Sequence, residues 1–219
     1  MIKGFLFDLD GVIVDTAKYH FLAWKRLADE LKINFTIEDN ELLKGVSRMA
    51  SLDIILGLGN RQLDASTKLK LATRKNDWYV DYITKMAADE ILPGALEFLK
   101  EAKQRGIKVG LGSASKNAQT ILDRLEITTY FDAIISGNEV SKAKPDPEVF
   151  SLGAKSLGLA PFECVVFEDA QAGIEAAINA GMMCIGIGDE EILGNADLVV
   201  PGLHAITVED VLKMKEVNN

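Results

Sequence analysis

Cysteine is almost absent from this 219-residue chain, which carries only Cys164 and Cys184, both in apolar runs that read as strands. Buried, reduced thiols are therefore expected in preference to a disulfide or a zinc site. No uninterrupted apolar stretch approaches membrane-spanning length, and no basic segment precedes a cleavable apolar one. The expectation is a soluble, cytoplasmic protein with no membrane partner. Net positive charge is missing too: 33 acidic residues outnumber 24 basic ones, for a formal charge of −9. Non-specific nucleic-acid binding depends on cation–phosphate contacts, so no nucleic-acid partner is expected. A small phosphorylated ligand is not excluded, because a local cationic pocket suffices and long-range repulsion is screened by salt. Lys44, Arg48, Lys75, Lys116 and Lys144 are the candidates for such a pocket. Repeats and low-complexity tracts are also missing. His204 has no acidic or cysteine partner at a ligand spacing and reads as an ordinary polar residue.

What remains is ordinary globular composition, 48% hydrophobic and 26% charged, in a chain long enough to bury a sizeable core. Residues 5–15 read Phe-Leu-Phe-Asp-Leu-Asp-Gly-Val-Ile-Val-Asp. On an extended segment the i, i+2 spacing puts Asp8 and Asp10 on one side of the backbone. Two carboxylates so close resist joint ionisation unless a cation sits between them, and Mg²⁺ suits oxygen ligands. A strand end whose second aspartate caps a turn gives the same spacing.

Three further clusters lie where an apolar run gives way to a loop. Val109-Gly-Leu-Gly-Ser113-Ala114-Ser115-Lys116-Asn117 opens a helix, Lys144-Pro145 precedes another, and Val165-Val-Phe-Glu168-Asp169 is followed by Gln171-Ala-Gly-Ile. Strands are expected at 2–8, 107–112, 133–135, 164–168, 183–187 and 198–200, alternating with helices. That alternation predicts an α/β fold with a parallel sheet and right-handed crossovers. Ligands bind outside the carboxyl ends of such strands, so the four clusters converge on one crevice. There Asp8, Asp10, Glu168 and Asp169 supply anionic oxygen for a metal, while Ser113 and Lys144 supply a donor and a cation for a phosphoryl group. Lys144-Pro145 is open to either peptide isomer, and Pro147 can start a helix.

Between about Thr16 and Met86 the pattern is helical throughout. Thr16 can cap a helix whose stripe is Phe21, Trp24, Leu27, Ala28 and Leu31. Further helices are expected over 41–43, 50–58 and 63–83, with Gly45, Gly57 and Gly59 as breaks. The organisation predicted is a core of 1–15 and 88–219 with a helical cap of 16–87 inserted after the first strand. Two passes of chain join them, which suits a hinged lid. Trp24, Trp78, Tyr79 and Tyr82 are expected in the cap's own core or at its rim.

The order Asp-Leu-Asp-Gly-Val-Ile-Val-Asp-Thr, then a serine, then a lysine, then Glu-Asp resembles the haloacid dehalogenase-like phosphotransferase superfamily over nearly the whole chain. A second layer is similar to the β-phosphoglucomutase branch: His20, Lys44-Gly45-Val46-Ser47-Arg48, Lys75 and Ser113-Ala114-Ser115-Lys116-Asn117. The resemblance implies a Rossmann-like core and Mg²⁺ as cofactor. It implies Asp8 as nucleophile, which spacing alone does not distinguish from Asp10, and Asp10 as general acid and base that also gives its carbonyl oxygen to the metal. Asp169 is then the second carboxylate ligand, with Glu168 supporting it. Ser113 and Lys144 hold the transferring phosphoryl group, Thr16 orients Asp10, and His20 joins a hinge network near Lys75. Arg48, Lys116 and Asn117 face the phosphate that is not transferred, and Gly45, Val46 and Ser47 let the cap backbone approach the sugar. The implied activity is interconversion of β-D-glucose 1-phosphate and glucose 6-phosphate through the 1,6-bisphosphate, by a monomer acting on a small phosphorylated sugar. A sugar-phosphate or phosphoglycolate-type phosphatase with the same aspartyl intermediate is the alternative.

Overall fold

The computed structural model describes residues 1–43 and 46–214. The chain divides into two compact units, Met1–Asp15 with Ala87–Asn219, and Thr16–Met86. In chain order the elements are β1 (Gly4–Phe7), α1 (Ala17–Glu30), α2 (Ile37–Glu41), α3 (Arg48–Leu58), α4 (Ala65–Ile83), α5 (Ala95–Gln104), β2 (Lys108–Gly112), α6 (Ala118–Arg124), β3 (Ala133–Ile135), α7 (Glu148–Leu157), β4 (Cys164–Glu168), α8 (Gln171–Asn179), β5 (Met183–Ile187), α9 (Glu190–Leu193), β6 (Leu198–Val200) and α10 (Val208–Lys213).

In the α/β unit the strands form one parallel sheet in the order β3-β2-β1-β4-β5-β6. The expected Rossmann-like α/β architecture is therefore present. Every residue of β1 is buried, as a strand covered by helices on both faces must be. Side chains alternate across it. Phe5 and Phe7 join Phe98 of α5 and Phe167 of β4 on one face, the Phe7 and Phe167 rings stacking at 4.6 Å. Leu6 points to the other face, into a cluster with Val149, Phe150 and Val166. Cys164 and Cys184 are buried on β4 and β5 and form no disulfide, and burial raises the Cys184 pKa, keeping it protonated. The chain leaves β1 toward β2 and β3 on one side and later fills β4, β5 and β6 on the other. The order thus reverses at β1, and the crevice of such a sheet opens beyond the carboxyl ends of β1 and β4. The two chain segments flanking the inserted unit are tied by a Val14–Ile91 bridge and a hydrogen bond from Leu92 N–H to the Ile13 carbonyl of 2.9 Å.

The Thr16–Met86 unit is helical, with a core of Trp24, Leu27, Ala28, Ile33, Phe35, Leu52, Ile55 and Ala72. Trp24 and Tyr79 are buried, whereas Trp78 and Tyr82 are half-buried, and Trp78 is flanked by Arg26 and Arg74. Three expectations need correction. Thr16 stands at the start of α1 but makes no capping hydrogen bond, because its own backbone is already helical (φ −95°, ψ −4°) and its hydroxyl is not aimed at the first-turn N–H groups. The helix expected at 41–43 is Ile37–Glu41 instead, set by a reciprocal cap between Thr36 and Asp39. Likewise α4 starts at Ala65, where Asp64 accepts from the Thr67 N–H. Lys44 and Gly45 lie outside the described residues, as does the end expected for the last helix at Lys215. Lys144-Pro145 is cis, and α7 begins directly after Pro147.

Candidate active site

Asp8 follows β1, Ser113 follows β2, and Glu168 ends β4 with Asp169 next. Parallel pairing of Phe7 with Phe167 brings the β1 and β4 ends level, and the Asp8 N–H bonds the Phe167 carbonyl at 2.9 Å. As a result Asp8, Glu168 and Asp169 each place a carboxylate oxygen within 4.8 Å of the others. The Asp10 carboxylate is not in that group, although its N–H donates to Asp8 Oδ2 at 3.0 Å.

Lys144 is threaded between the acids. Its ammonium donates to Asp8 Oδ1 at 2.6 Å and to Glu168 Oε1, and lies 4.8 Å from the centre of the Phe150 ring. Its side chain is 7% exposed, against 10% for Asp8 and 1% for Glu168, so this ion-pair network is shielded from water. Burial works against the lysine's charge, but Asp8 and Glu168 outweigh it and raise its pKa far above the usual lysine value. Burial raises the Glu168 pKa, with Lys144 and the Ala170 N–H (2.9 Å to Oε2) pulling the other way. Among the described residues no cation pairs with Asp169, and the more distant Lys144 lowers its pKa least of the influences on it. Burial first, then Glu168, Asp8 and Asp10, push it up to about 8.

Three carboxyl groups sharing one ammonium in a desolvated place resist joint ionisation, so the Glu168 and Asp169 pKa values are raised. An all-oxygen donor set of this kind fits a hard divalent cation, whose charge would replace the protons. The glycines nearby make the fit tight. Gly11 has φ +79°, and a Cβ there would overlap the Asp169 carboxylate. A Cβ on Gly173, in the first turn of α8, would overlap the Glu168 carboxylate. Gly173→Ala is expected to displace Glu168 from Lys144 and weaken Mg²⁺ binding about tenfold or more, on the scale of losing a carboxylate's outer partner. Titration calorimetry with Mg²⁺ alone measures this; wild-type affinity in a folded variant would show that Glu168 can yield without cost.

The acid cluster also sets a pH dependence. A carboxyl with a folded pKa near 8 holds a proton that the unfolded chain, with its pKa near 3.8, has released. Metal-free stability must therefore fall as pH rises toward 8. His20 acts in the opposite sense, but only below its unfolded pKa of about 6.5. Between pH 7 and 8.5 the metal-free melting temperature should drop, and the increment produced by Mg²⁺ should grow. Thermal melts with and without Mg²⁺ test this, and a metal-free melting temperature that rises over that range would contradict it.

The loop after β2 forms a second group. Ser113 is fully buried; its Oγ accepts from the Ser115 N–H at 3.1 Å, and Ser115 Oγ accepts from the Asn117 N–H at 3.2 Å. Ala114 and Lys116 are exposed, and Asn117 stands at the start of α6 without capping it.

The helical unit holds a third group. His20 Nδ1 lies 2.8 Å from Lys75 Nζ, and the His20 ring stacks on Tyr79 at 4.1 Å. Lys75 is 2% exposed and its ammonium sits 4.5 Å above Trp24. Burial, then Lys75 and Arg48, hold the His20 pKa well below 6.5. A neutral imidazole accepting the lysine's proton bond at Nδ1 carries its own proton on Nε2. Arg48 opens α3 and is half-buried; desolvation lowers its pKa, opposed by Asp77 and Tyr79. Val46 and Ser47 are exposed, and Ser47 Oγ caps α3 through the Ala50 N–H at 3.4 Å. Sequence reasoning assigned no role to Gly11, Gly173 or the Ala170 N–H. The two glycines were visible in their motifs, but only the packed carboxylates show why no side chain fits there.

Residues 2–181 match the haloacid dehalogenase-like hydrolase family. The chain belongs to that family. It is 43% identical over 210 residues to the β-phosphoglucomutase of Bacillus subtilis, covering 95% of this chain and 93% of the relative. It is 33% identical over 186 residues to a fructose-1-phosphate phosphatase of Escherichia coli, covering 84% and 95% respectively. Among solved structures, a β-phosphoglucomutase from Clostridium difficile superposes with a TM-score of 0.94 at 42% identity, covering 100% of this chain and 99% of that one. The chain is thus an enzyme of the phosphotransferase type, with mutases nearer than phosphatases among these relatives. No helix among the described residues is long and apolar enough to cross a membrane.

Proposed function

We propose that this enzyme interconverts β-D-glucose 1-phosphate and glucose 6-phosphate through an aspartyl phosphate and β-glucose 1,6-bisphosphate. The observation that carries this reading is the presence of two separate phosphate-type seats. One is the Asp8–Lys144–Ser113 end of the sheet. The other is the 115–117 loop, and within the helical unit Arg48 offers a bidentate fork for a phosphate. A mutase must hold a bisphosphate by both ends and rebind it reversed; a hydrolase needs only the first seat.

In the forward step an Asp8 carboxylate oxygen bonds to phosphorus as the phosphorus–ester oxygen bond breaks, and Asp10 gives its proton to the departing oxygen. In the return step Asp10 takes the proton of the other sugar hydroxyl, which attacks phosphorus and releases Asp8. Lys144 and Ser113 stabilise the equatorial oxygens as charge builds on them. Mg²⁺, held by Asp8, Asp169 and the Asp10 carbonyl with Glu168 in support, would lower the repulsion between the phosphoryl oxygens and the attacking carboxylate. By the family resemblance Val46 and Ser47, with Lys44 and Gly45 outside the described residues, would serve the sugar side, and Thr16, His20 and Lys75 the hinge of the helical unit, Thr16–Met86.

The test is to incubate purified protein with β-glucose 1-phosphate, Mg²⁺ and a trace of the bisphosphate. Glucose 6-phosphate is the expected product. Inorganic phosphate as the main product would replace this reading by that of a sugar-phosphate phosphatase, the activity named for the Escherichia coli relative.

A further inference from the structure

We propose that the loop after β3, residues 136–139, is a strap that turns the main-chain oxygens of 114–116 away from the distal phosphate, making Gly137 and Asn138 positioning residues for that seat. The inference rests on the proposed role of 115–117 in holding the phosphate that is not transferred.

An anion seat built from a loop has a built-in conflict. Each peptide offers a donor and an acceptor, and any carbonyl oxygen facing the phosphate repels it. The carbonyls must therefore be engaged elsewhere. Here the strap engages them one after another. The Ser113 N–H bonds the Ile135 carbonyl at 2.9 Å, and the Gly137 N–H bonds the Ser115 carbonyl at 3.1 Å. The parallel pairing of β2 with β3 thus continues past the ends of both strands. Asn138 Nδ2 then donates to the Lys116 carbonyl at 3.0 Å. The Ala114 carbonyl faces Gly137 so closely that a Cβ on Gly137 would overlap its oxygen. All three carbonyls of 114–116 are directed at the strap.

The strap is itself braced. Glu139 Oε2 accepts from both the N–H and the hydroxyl of Ser136, at 2.7 and 2.6 Å, and the Asn138 N–H donates to Ser136 Oγ at 3.2 Å. Ser136 is 5% exposed, so this brace is anchored in the sheet end rather than in solvent. The Ser115 and Asn117 N–H groups donate within the loop, to Ser113 Oγ and Ser115 Oγ, and Lys116 is exposed, so with the carbonyls held back a ligand at this loop meets a cation and hydroxyls rather than main-chain oxygens. Loosening the strap should weaken capture of the distal phosphate and leave chemistry at Asp8 intact. The phosphoenzyme then waits longer for its sugar and loses more of its phosphate to water.

The test compares wild type with Gly137→Ala and Asn138→Ala, each first checked by thermal melting. Three quantities are read: the KM for β-glucose 1-phosphate, the ratio of inorganic phosphate to glucose 6-phosphate formed, and the rate of Asp8 phosphorylation by acetyl phosphate, which carries no distal group. Asn138→Ala removes one hydrogen bond and should raise KM 2- to 10-fold. Gly137→Ala displaces main chain and should raise it tenfold or more, with the phosphate ratio rising in parallel. Phosphorylation by acetyl phosphate should stay within twofold of wild type. If Gly137→Ala does not fold, Asn138→Ala decides alone. KM within twofold of wild type in the folded variants, or an equal fall in acetyl phosphate reactivity, overturns the proposal. Lys116→Ala and Asn117→Ala separate the two levels. If they raise KM and the strap variants do not, the strap fails and the distal seat stands; if they too leave KM unchanged, the seat itself is misassigned and the strap falls with it.

Discussion

Asp8→Asn will abolish turnover, by on the order of 10⁴-fold or more, and the variant will not accumulate a phosphoenzyme from acetyl phosphate. Magnitudes of this size follow removal of a covalent nucleophile when the rest of the site is intact. The substitution keeps shape and volume, and the amide oxygen can still accept from Lys144, now 2.6 Å from Oδ1, or from the Asp10 N–H. What is lost is the negative charge that makes the oxygen nucleophilic toward phosphorus. Stability will move the other way. Asp8 is one of the charges that push Asp169 upward, after burial and Glu168. Removing it leaves fewer buried anions around Lys144, so the metal-free melting temperature should be unchanged or higher. Intact-mass spectrometry after acetyl phosphate treatment and thermal melts measure both arms. Wild-type turnover by Asp8→Asn would remove Asp8 from the role of nucleophile.

The second large effect concerns Lys144→Met. Methionine fills comparable space without a cation, leaving Asp8 and Glu168 buried and facing each other without compensation. Breaking a buried pair by removing one partner costs about 3–5 kcal/mol. For a protein of this size that corresponds to a fall of roughly 6–20 °C in melting temperature. The deficit should grow with pH. Burial already raises the Glu168 pKa against the pull of Lys144, so without the lysine a proton taken up at low pH can relieve the strain, whereas at high pH it cannot. Mg²⁺ should recover part of the stability, because it supplies positive charge to the same carboxylates, but not the turnover. Lys144 also contacts the phosphoryl oxygens in the proposed mechanism, and no residue among the described ones near Asp8 replaces it. A Lys144→Met variant melting within 2 °C of wild type at pH 8 would mean that the acids are not both charged in the metal-free protein, since roughly 2–4 °C corresponds to each kcal/mol at this size.

Both predictions draw on residues that the sequence marks clearly. Asp8 follows four buried residues that read as a strand from their apolar run alone, and Glu168-Asp169 and Ser113 stand at the ends of similar runs. Local pattern is informative there because a parallel strand covered on both faces has to be apolar along its whole length and polar where it stops. The helical insertion was equally legible from its periodicity. Its details were not. Thr16 looks like a helix cap, yet its backbone conformation removes it from that task, and α2 sits earlier than the apolar residues suggest because the Thr36–Asp39 cap fixes its start.

The sequence by itself determined the class of fold and which acids and which lysine stand where strands give way to loops. Both follow from residue type and short-range spacing, whereas the roles proposed for those residues rest on the family resemblance. Only tertiary structure decided how the charges share their environment: that Lys144 reaches both Asp8 and Glu168, that Asp169 is left to rise, that Gly11 and Gly173 must be bare, and that 136–139 backs the 114–116 carbonyls. The physical reason is range. Periodicity records which face of an element is buried. Burial energies of charges and overlaps of single methyl groups depend on atoms that only packing brings together, such as Lys144 and Asp8, 136 residues apart in the chain.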